Sequence, residues 1–72
     1  MNASISNDSE IPPLLVEPKD AAKLCAISIR TLWRLVSSGD FVNPVRFGTR
    51  IVRFRTDDIR AWIESRIAES QH

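Results

Sequence analysis

Apolar residues along this chain recur with two spacings, and each spacing predicts its own kind of element. Between Pro18 and Cys25, Ala21, Leu24 and Cys25 fall at i, i+3 and i+4, the narrow stripe of a short helix. Pro18 has a ring-fixed φ suited to a first helical position, and Glu17 precedes it as the cap position. Asp20 adds a carboxylate to the positively polarised first turn. After the short connection Ala26-Ile27, a second helix is predicted from Ile29 to about Ser38, opened by Ser28 as N-cap and stopped at Gly39. At about 100° per residue, Ile29, Leu32, Trp33, Leu35 and Val36 sweep an arc of roughly 160°. Arg30, Thr31, Arg34, Ser37 and Ser38 occupy the opposite arc, so one side is buried and the other presents arginines and hydroxyls.

Beyond the connector Asp40–Pro44 the period shortens to two. Val45–Phe47 and Ile51–Arg55 flank Gly48-Thr49-Arg50 and read as a β-hairpin with a three-residue loop. Alternation places Val52 and Phe54 on one face and Arg53 and Arg55 on the other. Val45 and Phe47 are expected to join the buried face, leaving Arg46 outside. A third helix follows, with Thr56 as its cap, Asp57 and Asp58 at its positive end, and Ile59, Trp62, Ile63 and Ile67 along one face. Residues 1–13, polar and ending in two prolines, are expected to be a flexible leader, and Leu14–Val16 an extended entry into the first helix. Residues 69–72 are expected to fray. The expected fold class is mainly α with a small β-hairpin: a winged helix-turn-helix of three helices and a two-stranded wing, over residues 14–68.

Length and composition narrow the chemistry. A chain of 72 residues has room for one domain with a lean core, burying only about 60% of its unfolded surface. Its large apolar residues, Trp33, Phe47, Phe54 and Trp62, with the leucines and isoleucines between them, are expected to carry that core. The single cysteine, Cys25, excludes an internal disulfide and reads as a small buried hydrophobe; one histidine without a cysteine cluster argues against structural zinc. No apolar run approaches the roughly 18 residues of a membrane span, and no signal-peptide pattern opens the chain, so a cytoplasmic, nucleoid-associated setting is expected. There is no nucleophile–base pair, metal cluster or phosphate loop, and the Asp57-Asp58 pair is explained by helix-start electrostatics. No enzyme, cofactor, metal or small-molecule ligand is therefore expected. Arg60 and Arg66, beside Glu64 and Glu69, read as a solvated face.

Net charge is only +1, but its distribution is uneven. Residues 23–55 hold seven of the ten basic residues against a single acid, Asp40. One positive face on an otherwise acidic body is the electrostatic footprint of a phosphate-backbone partner. Two short helices joined tightly, the second with a basic face, describe a helix-turn-helix, and the major groove admits one such helix. Ser28 and the helix start are placed to meet phosphate, while Arg30, Thr31 and Arg34 look into the groove; Arg30 and Arg34 are the expected base readers, since arginine pairs with guanine O6 and N7, with phosphate contact by one of them as the alternative. On the wing, Arg50 at the loop tip is the candidate for insertion into a narrow minor groove. Thr49 accompanies it, with Arg46 and Arg53 on flanking phosphates and Arg55 beside them on the outer strand face.

These residues also resemble a family. The run Ser28-Ile29-Arg30-Thr31-Leu32-Trp33-Arg34, then Gly39-Asp40-Phe41, Pro44-Val45-Arg46-Phe47-Gly48, and Arg53-Phe54-Arg55 followed by Asp58-Ile59-Arg60-Ala61-Trp62-Ile63, is similar to AlpA-type and excisionase-like helix-turn-helix proteins of prophages and integrative elements. Those proteins are relatives of the MerR DNA-binding domain. Val42 stands where a proline is common, Phe54 where a tryptophan is common, and Trp33 replaces a frequent tyrosine. The resemblance implies a transcription regulator or a recombination directionality factor acting on double-stranded DNA. A single short domain with one half-site's worth of contacts is weak alone, so an integrase or recombinase, or further copies of the chain, are expected as partners on that DNA. The alternative from another class is a small protein-interaction adaptor or antitoxin, which calls for an exposed apolar patch. RNA binding lacks an aromatic pair on an open sheet face.

Overall fold

Pro18 opens helix α1 (Pro18–Leu24), and the backbone carbonyl of Glu17 accepts from the amides of Asp20 and Ala21 at 3.0 and 2.9 Å. The Glu17 side chain makes no cap hydrogen bond. The computed structural model describes residues 13–71, so the leader assigned to 1–13 lies outside the described residues except for Pro13, as does His72. The chain leaves α1 through Ala26, whose φ of +59° is left-handed. That conformation costs an alanine roughly 1–2 kcal/mol, and it is held by Ala26 N to Lys23 O and Ile27 N to Ala22 O, each 3.0 Å. Helix α2 (Ile29–Ser37) starts three residues later. It ends where Gly39 turns at φ +80°, the left-handed stop that glycine adopts without penalty, and the Asp40 amide returns to Leu35 O at 2.8 Å.

Strands β2 (Val45–Phe47) and β3 (Ile51–Arg55) form the expected hairpin around residues 48–50. The wing is not limited to two strands. Leu15–Val16 forms strand β1 and pairs with the other edge of β3, giving an antiparallel sheet in the order β1-β3-β2. A two-residue strand is too short to show alternation of its own, so only its extended character could be read from the sequence.

Register corrects a second expectation. Val45 pairs with Arg53, Arg46 with Val52, and Phe47 with Ile51. Residues directly opposite each other share a face. Val45 and Phe47 therefore share the outer face with Ile51 and Arg53, whereas Arg46 lies on the side of Val52 and Phe54. The reason is arithmetic: a three-residue loop pairs odd positions with odd and even with even. Burying Val45 and Phe47 beside Val52 and Phe54 would need a loop one residue shorter or longer, and a one-residue slip exchanges every side chain between faces.

Helix α3 (Thr56–Ser70) follows β3 without a break and runs two residues past position 68. Arg55, not Thr56, occupies its cap position. The Thr56 amide and hydroxyl instead reach back to the chain entry, to Leu14 O and Pro13 O, each at 3.0 Å.

Ala21, Ala22, Leu32, Phe41, Phe54 and Ile59 make the buried core. Phe54, on the central strand, has no exposed surface. Phe41 takes the place expected for Phe47: it stands edge-on to Phe54 at 5.5 Å and to Trp62 at 4.8 Å between centroids. Trp33, Trp62 and Cys25 pack partly buried against this core, and burial pushes the Cys25 thiol up, away from thiolate chemistry. Leu24, Ile29 and Ile67, expected on apolar faces, remain exposed. They sit at the ends or edges of their stripes, and a chain this short has too little mass to cover them.

Candidate nucleic-acid interface

Ser28 sets the start of α2. Its hydroxyl oxygen accepts from the Thr31 amide at 3.0 Å, and its own proton goes to Thr31 Oγ1 at 2.9 Å. The bond to the amide satisfies one of the orphan donors of the first turn. The bond to the hydroxyl leaves Thr31 with its own proton to give to an outside acceptor. Replacing Ser28 by alanine is expected to cost about 1 kcal/mol of stability, measured as a shift of the urea midpoint, with Ser28→Asp restoring most of it. An unchanged midpoint would mean that α2 does not depend on this cap.

Arg30 and Arg34 lie four residues apart on the exposed side of α2, with Thr31 between them and half-buried. The opposite side holds Leu32, fully buried, and Trp33, whose ring lies 6.1 Å from that of Phe54. Core packing thus fixes which way the arginines face. Among the described residues the ion pairs are Arg55 with Asp58 at 3.4 Å and Arg66 with Glu69 at 3.5 Å. Arg30, Arg34, Arg46, Arg50 and Arg53 have no acidic partner among them.

On the wing, Arg46, Thr49 and Arg50 are exposed, and Gly48 opens the loop with φ +70°. Arg46 reaches solvent from the face opposite to the one expected, because β2 is an edge strand at the rim of the core. Arg53 is on the outer face as expected but half-buried, and its Nη1 donates to the Val52 carbonyl at 2.8 Å. Arg55 is exposed and already engaged by Asp58.

Two features were missed in the sequence. Phe47 and Ile51 form an exposed apolar pair at the wing end, which the parity of the loop could have revealed. Arg66 is not simply solvated: its Nη2 donates to the Asp40 carbonyl at 3.0 Å and its guanidinium lies 4.9 Å from the Trp62 ring centroid. Trp62 Nε1 donates to the same carbonyl at 2.8 Å. Together they tie the exit of α2 to the last helix, and no local sequence pattern signals a contact of that span.

Two helices joined by a tight turn, followed by a hairpin on a three-stranded antiparallel sheet, are compatible with a winged helix-turn-helix. The sequence model of a family described as a helix-turn-helix domain matches residues 15–67, and the chain belongs to that family. Helix-turn-helix is a DNA-binding module. Comparison with curated proteins and with solved structures found no match. No helix among the described residues is long and apolar enough to cross a membrane, and no group of three metal-ligating side chains occurs among them.

Proposed function

We propose that this chain is a sequence-specific double-stranded DNA-binding protein that lays α2 in the major groove and rests its wing on the adjacent minor groove and phosphates. The observation that carries this reading is the set of five arginines on α2 and the wing that have no acidic partner among the described residues. Unpaired guanidinium groups repel one another, and a polyanion relieves that repulsion. Ser28, Thr31 and the start of α2 serve phosphate and groove floor; Arg30 and Arg34 read bases; Arg50 enters the minor groove with Thr49 beside it. Arg46 and Arg53 sit on flanking phosphates, and Arg55 joins them by exchanging Asp58 for phosphate.

Within this reading, the residue runs of α2, the connector and the wing support an AlpA-type, excisionase-like protein related to the MerR domain and carried by a prophage or similar element. Its job is to regulate transcription or to direct recombination, acting inside the cell without catalysis of its own, with an integrase or neighbouring copies on the same DNA. The adaptor reading draws on one observation, an apolar groove between α1 and α3 that includes exposed Leu24 and Ile67. That groove contains none of the residues assigned to DNA, so it does not compete with them.

The test is an amide-resolved NMR titration of the full chain with a mixed-sequence duplex, repeated across a salt series. Shifts are expected in 28–38 and 46–55, with 59–67 quiet. Arg46, Arg53 and Arg55 on phosphates, with Arg50 in the minor groove, neutralise about four phosphate charges and give a slope of log affinity against log salt of about −4. Shifts confined to α3, or a flat salt response, would overturn the proposal.

A further inference from the structure

The register of the wing leaves Phe47 and Ile51 facing each other on its outer face, 48% and 46% exposed, at the pair that flanks the loop. A phenylalanine and an isoleucine held half in water lie outside the core cluster and form a small apolar patch on the outer face of the wing. Their surroundings say what such a patch fits. Residues 45–55 carry four arginines and no acid. Arg50 adjoins Ile51 in the loop, and Arg53 shares the outer face two residues along the same strand.

An apolar pair set among cations fits a partner that is anionic yet has apolar walls. The minor groove of a DNA duplex is such a partner: about 6 Å wide, its walls are deoxyribose rings and its rims are phosphates. Cross-strand neighbours have Cβ atoms about 5 Å apart, so the Phe47–Ile51 pair presents one continuous apolar surface to such a wall. We infer that Phe47 and Ile51 are DNA-contacting residues, packing on the sugars of the minor groove while Arg50 enters it. This rests on the DNA-binding reading above and adds to it a contact that is indifferent to salt. Packing on sugars displaces no counterions, whereas each arginine–phosphate contact does.

The experiment measures affinity of the full chain for a fluorescein-labelled mixed-sequence duplex by anisotropy across a salt series. The variants are Phe47→Ser, Ile51→Ser and Arg50→Ala. Both serine variants are expected to bind about tenfold more weakly at every salt concentration, from the lost burial of apolar area, with the salt slope unchanged. Arg50→Ala, which withdraws a cation from the negative phosphate potential of the minor groove, is expected to lower the slope by about 1. Thermal unfolding checks that each variant folds, and Phe47→Leu, which keeps an apolar side chain, should recover most of the affinity. Serine variants that fold and bind like the wild type would overturn the inference. So would variants that keep single-molecule affinity but lose cooperativity between successive copies, which would assign the pair to a second copy of the chain. A wild-type chain that binds no duplex would overturn the parent reading instead, and is recognised because the reference signal itself is missing.

Discussion

Phe54→Ala is expected to remove a large part of the protein's stability and leave it marginally folded at ambient temperature. Truncating a fully buried phenylalanine costs about 3–5 kcal/mol, from lost burial and the cavity left behind. A domain of this size has a total stability of roughly 4–11 kcal/mol. Phe54 is the worst place to make that loss. It sits on the central strand, it is paired through the backbone with Val16, and its ring is met by Phe41 and Trp33 from two other segments. The measurement is a urea titration followed by circular dichroism. The expected curve begins its transition at or near zero denaturant, and Phe54→Leu restores a resolved folded baseline. A midpoint within error of the wild type would mean that the aromatic cluster does not organise the core.

The second large effect falls on binding and leaves the fold alone. Arg30→Ala and Arg34→Ala remove exposed side chains without ion pairs among the described residues, so thermal unfolding should stay within about 0.5 kcal/mol of the wild type. On the preferred duplex each is expected to lose about 1–3 kcal/mol, roughly 5- to 150-fold in Kd. Selection of preferred sites by each variant then separates two roles. An arginine that reads guanine relaxes the preference at one base pair when removed, whereas one that meets phosphate weakens all sequences alike. If neither variant changes affinity for any duplex, α2 is not the reading helix.

The helices could be read from local chemistry. Ser28 caps, Gly39 stops, Pro18 starts, and each acts within one turn of its own position, so the sequence carries the signal in a few adjacent letters. The orientation of the arginines on α2 was legible for the same reason, because the apolar arc from Leu32 to Val36 leaves them only one side. The sheet was harder. Which face Phe47 occupies depends on the parity of a loop, and the strand that completes the sheet is two residues long with its partner far along the chain. The aromatic core also moved: Phe41, in a connector without periodicity, is buried, while Phe47, in a strand with alternation, is not. The contacts of Trp62 and Arg66 with the Asp40 carbonyl belong to the same class, since they join segments whose separation hides the pairing. Of the candidate residues at α2, Ser28, Arg30 and Arg34 are exposed and Thr31 is half-buried, and those on the wing are exposed except Arg53.

The grip of Thr56 on the carbonyls of Pro13 and Leu14, across 43 and 42 residues of chain, also has a bearing on assembly in time. Helices α1 and α2 close through contacts a few residues apart, which cost little loop entropy and form early. Strand β1 is made before either of them, yet it has nothing to pair with until β3 and Thr56 exist. On a chain synthesised from its N-terminus, the first segment of the fold to leave the ribosome therefore waits for partners made some forty residues later. Until then, the helix pair carries its arginines on a body whose sheet is still open along one edge.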